Sequence, residues 1–211
     1  MSFCYTDFPR MPFKKDFDDN IALTNITITK GNGEFEKYEV SDECNAFIKK
    51  ETSSLLLGCA STVIPDGVKE IWDHAFAGCL ELKSIYIPAT VTSICRCAFL
   101  RCTNLASVHI PEGVISIGER AFAVCSSLKE IVIPDGVIKL EHGAFKGCKA
   151  LTTVTLPKAV KKMPDAFFDC TGITTINVPA KKADYYKQRL PEELHQFIVE
   201  MEPVKKAKKK K

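Results

Sequence analysis

The sequence predicts a repeat solenoid: short parallel β-strands with one helical turn per repeat, closed by an N-terminal β-hairpin cap and a C-terminal helical cap. Three observations carry that class. Apolar residues return at a fixed step of 23 residues. Inside each unit the periodicity changes from strand-like to helix-like, and the flanking segments carry patterns of their own. On this reading residues 1–54 form a β-rich cap and 55–179 a solenoid of about five to six units; 180–202 form a helical cap and 203–211 a disordered lysine-rich tail.

The cap comes first because a solenoid without one exposes strand edges and apolar rungs that aggregate. In "ITITKGNGEFEKYEV", Ile26 and Ile28 alternate with threonines, Gly31-Asn32-Gly33 turn the chain, and Phe35 and Tyr38 continue it, which predicts a hairpin. A second apolar pair, "AFI" and "LLLGC" around "KKETSS", predicts the hairpin that joins the first rung.

The repeats follow. Leu82, Ile85, Ile87, Val91 and Ile94 return as Leu105, Val108, Ile110, Val114 and Ile117, then as Leu128, Ile131, Ile133, Val137 and Leu140. Leu151, Val154, Leu156, Val160 and Met163 form a further copy, whose "AFFDC" arrives one residue early. Partial units stand at Ile64, Val68 and Ile71 and at Ile173, Ile176 and Val178. In "SVHIP", Val108 and Ile110 alternate with Ser107 and His109 as a half-buried strand requires. "PEGV", "PDGV" and "PATV" then turn the chain. A second extended piece points Val114 and Ile117 inward, and Ala121, Phe122 and Cys125 share one side of a helical turn. Stacking makes ladders of these slots: Phe76, Phe99, Phe122, Phe145 and Phe167, beside Cys79, Cys102, Cys125, Cys148 and Cys170.

At the far end Tyr186, Leu190 and Leu194 recur every four residues, with Phe197 and Ile198 continuing the stripe, so one side of a helix can cover the last rung. Pro191 followed by Glu192 and Glu193 reads as a fresh helix start.

The unit L-x-x-I-x-I-P-x-x-V-x-x-I-x-x-x-A-F-x-x-C resembles the BspA-like class of leucine-rich repeats over roughly residues 55–179. "CNAFIKKETSSLLLGC" is similar to that family's opening hairpin and "VPAKKADYYKQRLPEELHQFIVE" to its closing segment. The resemblance implies a leucine-rich-repeat-like solenoid and a non-enzymatic protein that binds other proteins, in relatives often secreted or on the cell surface. One feature departs from the ordinary leucine-rich repeat. Where that repeat holds a capping Asn or Cys, this chain has Gly67, Thr90, Gly113, Gly136 and Ala159, and its cysteine stands three residues before the first leucine instead. The usual asparagine ladder is therefore not carried over.

Charge and cysteine usage narrow the function. The net charge of +3 becomes −3 without the six lysines of "KKAKKKK", so basicity belongs to the tail. A like-charged run without interleaved aromatics reads as a solvated end; binding to nucleic acid or an anionic surface through it is an alternative, with no specific nucleic-acid site. The first twenty residues are broken by Asp7, Pro9 and Pro12 and do not read as a signal peptide, and no apolar run reaches the roughly 18 residues of a membrane span. As written, the chain reads as cytoplasmic, and its ten cysteines as reduced thiols. Neighbouring ladder cysteines are close enough in a stack to bridge, but their side chains point the same way and five cannot pair completely, so small buried thiols are expected.

"CRC" at Cys95 and Cys97 raises a second alternative, a small thiol or metal enzyme, although no pair of CxxC motifs accompanies it. His74, His109, His142 and His195 lie beside no catalytic motif, so no enzyme activity and no cofactor are predicted. What remains is the outward side of the strands. One column runs Tyr86, His109, Val132, Thr155 and Asn177, the other Ser84, Ser107, Glu130, Thr153 and Thr175. Repeat proteins use such faces for binding, and an aromatic is where interface energy concentrates. The expectation is a monomer that presents this face to a partner, a host or cell-surface protein or a glycan, in protein–protein or adhesive contact, with Tyr86 as the leading contact.

Overall fold

A three-residue strand with one inward side chain cannot bury itself; it needs the next copy beside it, and the fixed step supplies one. The computed structural model describes residues 2–4, 27–29, 38–41 and 46–202. Ahead of the repeats lie β1 (Ser2–Cys4), β2 (Thr27–Thr29), β3 (Tyr38–Ser41), β4 (Ala46–Lys49) and β5 (Ser54–Leu57). Through the repeats, two kinds of strand alternate: β6 (Glu70–Ile71), β7 (Ser84–Tyr86), β8 (Ser93–Ile94), β9 (Ser107–His109), β10 (Ser116–Ile117), β11 (Glu130–Val132), β12 (Lys139–Leu140), β13 (Thr153–Thr155) and β14 (Thr175–Val178).

β4 and β5 form the antiparallel hairpin expected around "KKETSS", with β3 paired to β4 on its other edge. β5 then pairs in parallel with β6, Leu55 opposite Ile71, and the sheet continues through β8 and β10 to β12. The opening hairpin meets the solenoid by becoming its first rung. The turn expected at Gly31-Asn32-Gly33 lies outside the described residues; β2 pairs in parallel with β1, Phe3 opposite Ile28.

Inside the coils the apolar slots are buried, except for the half-buried Val108, and the phenylalanines stack with ring centroids 4.9, 4.9, 5.2 and 5.6 Å apart from Phe76 to Phe167. Gly58 closes the front of this ladder, since a Cβ there would stand 2.1 Å from Phe76 Cε1. The segment read as one helical turn is built differently. Its flanks take left-handed backbone at His74, Cys97, Arg120, Gly143 and Asp165 and again at Gly78, Arg101, Val124, Gly147 and Asp169. These residues aim alternate N–H groups along the solenoid axis, so Phe99 donates to Ala121 O and Phe122 to Ala144 O, each at 2.7 Å. The N–H groups between them bond three residues back within the turn, as Leu100 does to Cys97 O, so the backbone is satisfied half by the next coil and half by its own turns rather than by a helix.

The C-terminal cap also departs from a helical stripe. Ala183–Lys187 form a short α-helix, α1, and Glu192–Phe197 a 3-10 helix after Pro191, but Ile198–Glu200 form a strand, β15. β15 pairs in parallel with β14, Ile176 opposite Ile198, and thereby extends the sheet by one rung. Ile198 belongs to that rung because ladder hydrogen bonds to β14 outweigh one more turn of an isolated helix. Tyr186 is fully buried, and its hydroxyl donates to the carbonyl of Pro157, while Tyr185 Oη donates to Val160 O at 2.7 Å.

Candidate functional site

Parallel registration decides whether outward residues form continuous columns. It aligns Ser84 with Ser107 and Tyr86 with His109 on β7 and β9, then Glu130 with Thr153 and Thr175, and Val132 with Thr155 and Asn177, across β11, β13 and β14. The ten outward residues expected from the sequence therefore lie on one face. Val199 extends their first column, opposite Asn177 on β15, and is 51% exposed. A signal for it existed: Ile198 follows Ile176 by 22 residues, the step from Val154 to Ile176.

The face is not uniform. Thr153, Thr155, Thr175 and Asn177 are half-buried, and Asn177 Nδ2 donates to Thr155 Oγ1 at 3.3 Å. Ser84, Tyr86, Ser107, His109, Glu130 and Val132 are exposed, Tyr86 by 68% and Val132 by 58%. The sheet also changes here: β7 and β9 form one hydrogen-bonded pair, whereas β11, β13, β14 and β15 form another sheet. A cleft of about 450 Å³ lies over the seam between β9 and β11. Nothing in the sequence announces it, since Val108 at the seam and Val154 in a paired strand occupy the same slot.

On the turn side, by contrast, several polar side chains are paired. Glu119 lies 3.7 Å from Arg96 and 3.8 Å from Arg120, and His142 lies 3.8 Å from Asp165.

The cysteines face inward. The thiols of Cys102, Cys125, Cys148 and Cys170 donate to the carbonyls of Phe76, Phe99, Phe122 and Phe145, at 3.1, 3.3, 3.2 and 3.0 Å. Each thiol thus supplies a weak donor to a buried carbonyl of the preceding coil while packing as a small apolar group. Burial pushes the Cys125 thiol up to about 12. It also raises Cys95, half-buried, and Cys97, buried, so both are held as thiols rather than nucleophilic thiolates at neutral pH. Among the described residues, no three His, Cys, Asp or Glu side chains are grouped to hold a metal ion, and no helix is long and apolar enough to cross a membrane. The lysine run at 205–211 lies outside the described residues.

A stack of registered parallel strands with a ladder of aromatic and thiol rungs defines a solenoid repeat scaffold. A model of the BspA type leucine rich repeat region matches residues 59–188 in six copies, and the chain belongs to that family. In solved structures it is similar to a leucine rich cell surface protein from Faecalibacterium prausnitzii, at 30% identity and a TM-score of 0.69 over 81% of this chain and 46% of that one. It also shares a fold with the pneumococcal vaccine antigen PcpA, at 18% identity and a TM-score of 0.62 over 83% and 41% of the two chains. The leucine rich repeat protein of T. pallidum shares the fold too, at 23% identity and a TM-score of 0.51 over 79% and 92%. The chain thus spans under half the length of the first two. A search of curated proteins gives no match.

Proposed function

We propose that this chain is a non-catalytic binding scaffold that presents the strand face from β7 to β14 to a macromolecular partner, a protein or the glycan it carries, in adhesive or protein–protein contact. The observation behind this reading is the exposed, registered group around Tyr86, whose side chains carry no hydrogen bond to one another among the described residues. Ladder residues hold each rung from within, so the outward residues are free to be chosen for contact. Likeness to a cell surface protein of F. prausnitzii supports display toward other molecules. The reading holds in a reducing or an oxidising compartment, because thiols as buried as Cys125 are shielded from oxidants.

The test is capture from cell and matrix extracts by the wild type beside a Tyr86→Ala, His109→Ala double variant. Truncating an aromatic anchor costs about 2 kcal/mol or more, so the expected result is loss of the partner with an unchanged thermal melt. A partner retained by the folded double variant would remove the face from consideration.

A further inference from the structure

The interruption between β9 and β11 is one-sided. These strands are consecutive in the stack yet belong to different sheets, while their companions β10 and β12 stay paired, Ser116 opposite Lys139. The ladder is therefore interrupted only at the outward-facing strands, while β9 and β11 stay side by side and the rings beneath keep their spacing, Phe99 to Phe122 at 4.9 Å. Val108 is half-buried, whereas Ile85, Ile131, Val154 and Ile176 in the same slot are buried. In a parallel ladder each strand turns N–H and C=O groups alternately toward its neighbour. At this seam the groups of β9 and β11 lack that ladder partner, and backbone groups at half-buried positions call for one. The cleft above them is lined by Tyr86, Ser107, His109, Glu130 and Val132.

We propose that this cleft is a saccharide-binding site and that the feature read by the strand face is a neutral glycan; the proposal rests on that face being the binding face. A sugar hydroxyl is donor and acceptor at once, so adjacent ring hydroxyls answer both the N–H and the C=O groups of the seam, which a carboxylate or an ammonium cannot do. The Glu130 carboxylate accepts from two neighbouring hydroxyls and repels an anionic ligand, while Ser107 and His109 supply further hydrogen bonds. Tyr86, 68% exposed, offers a flat apolar surface to the C–H side of a pyranose. The volume of about 450 Å³ suits a short oligosaccharide. A protein partner is the weaker match: protein interfaces are depleted in Ser and Glu and concentrate their energy in Trp, Tyr and Arg, and here one tyrosine stands with Ser84, Ser107, His109 and Glu130 over an aliphatic floor that includes Val108.

The experiment titrates the full chain with maltohexaose, cellohexaose, xylohexaose and tetra-N-acetylchitotetraose, with a heparin hexasaccharide as the anionic comparator, by calorimetry and saturation-transfer NMR. Saturable binding of at least one neutral probe is expected, weakened at least about tenfold by Tyr86→Ala and by Glu130→Gln with the melt unchanged. Binding of none of the four at about 10 mM, binding of heparin alone, or binding indifferent to both variants would overturn the proposal. Capture from deglycosylated extract that still depends on Tyr86 and His109 would also overturn it while leaving the binding face standing. Capture indifferent to those residues would instead remove the face itself.

Discussion

The thiol ladder can be tested by titration. Cys125 is fully buried and its thiol is pushed up to about 12 from an ordinary 9.0, by burial above all. Above pH 9 the unfolded chain releases this proton and the folded chain keeps it, so the unfolded state binds fewer protons and stability falls as pH rises. The contribution is intact below pH 9 and is lost progressively toward pH 12, at about 1.4 kcal/mol per pH unit and about 4 kcal/mol in all. That is a large share of the roughly 5–15 kcal/mol that holds a domain folded. Cys125→Ala removes the titration. At pH 7 it also removes the hydrogen bond to Phe99 O and leaves a small void, a cost of about 1–2 kcal/mol. Urea unfolding followed by circular dichroism, under reductant at each pH from 7 to 11, should show the variant less stable at neutral pH and level with wild type near about pH 10. Subtracting the two curves removes the tyrosines and lysines that titrate in the same window. A difference changing by less than about 0.5 kcal/mol per pH unit between about pH 9.5 and 11 would mean that the thiol titrates in the folded chain as it does in the unfolded one, and the buried-ladder account would fail.

Two further expectations concern packing. Phe122 is stacked on both sides, so Phe122→Ala should cost about 3–5 kcal/mol, and Phe167→Ala, at the end of the ladder with one stacked neighbour, distinctly less; equal losses in urea unfolding would show that the rings do not act as a ladder. Gly58→Ala places a methyl carbon against the Phe76 ring and should destabilise by about 1–3 kcal/mol in a thermal melt, and an unchanged melt would mean that the front of the ladder is looser than described.

The repeat was legible because every coil states it again: one misread slot is corrected by the others, and the columns from Ser84 to Thr175 and from Tyr86 to Asn177 follow from the repeat step, with strand registration confirming them in two blocks on either side of the seam. What escaped were features settled by neighbouring backbone. Ala121, Phe122 and Cys125 have helical spacing, but left-handed residues on either side send the N–H groups to the next coil. Gly78, Gly143 and Gly147 hint at this conformation, while Cys97, Arg120 and Val124 adopt it with ordinary side chains, which a reading by residue type does not anticipate. Tyr186, Leu190 and Leu194 were legible as covering residues, yet the pairing of β15 with β14 overrode the helical continuation through Ile198. The seam has no side-chain signature, because it is a property of two strands together.

That distinction bears on how the scaffold divides its work. In a regular rung the inward residue sets stability and, under the proposed function, the outward one sets contact, so Ile131, buried, and Val132, exposed, would answer to different demands although they are adjacent in sequence. Nearest-neighbour stacking keeps a change in one rung from reshaping distant ones. At the seam the separation breaks down: Val108 is an inward residue, yet it is half-buried and lines the cleft. Ladder hydrogen bonds forgone there weaken the stack by about 1 kcal/mol each, a cost that a ligand able to supply those bonds would offset. On the proposal above, a ligand seated at this position would stiffen the coil junction as it binds, whereas contact elsewhere on the face would leave the ladder untouched.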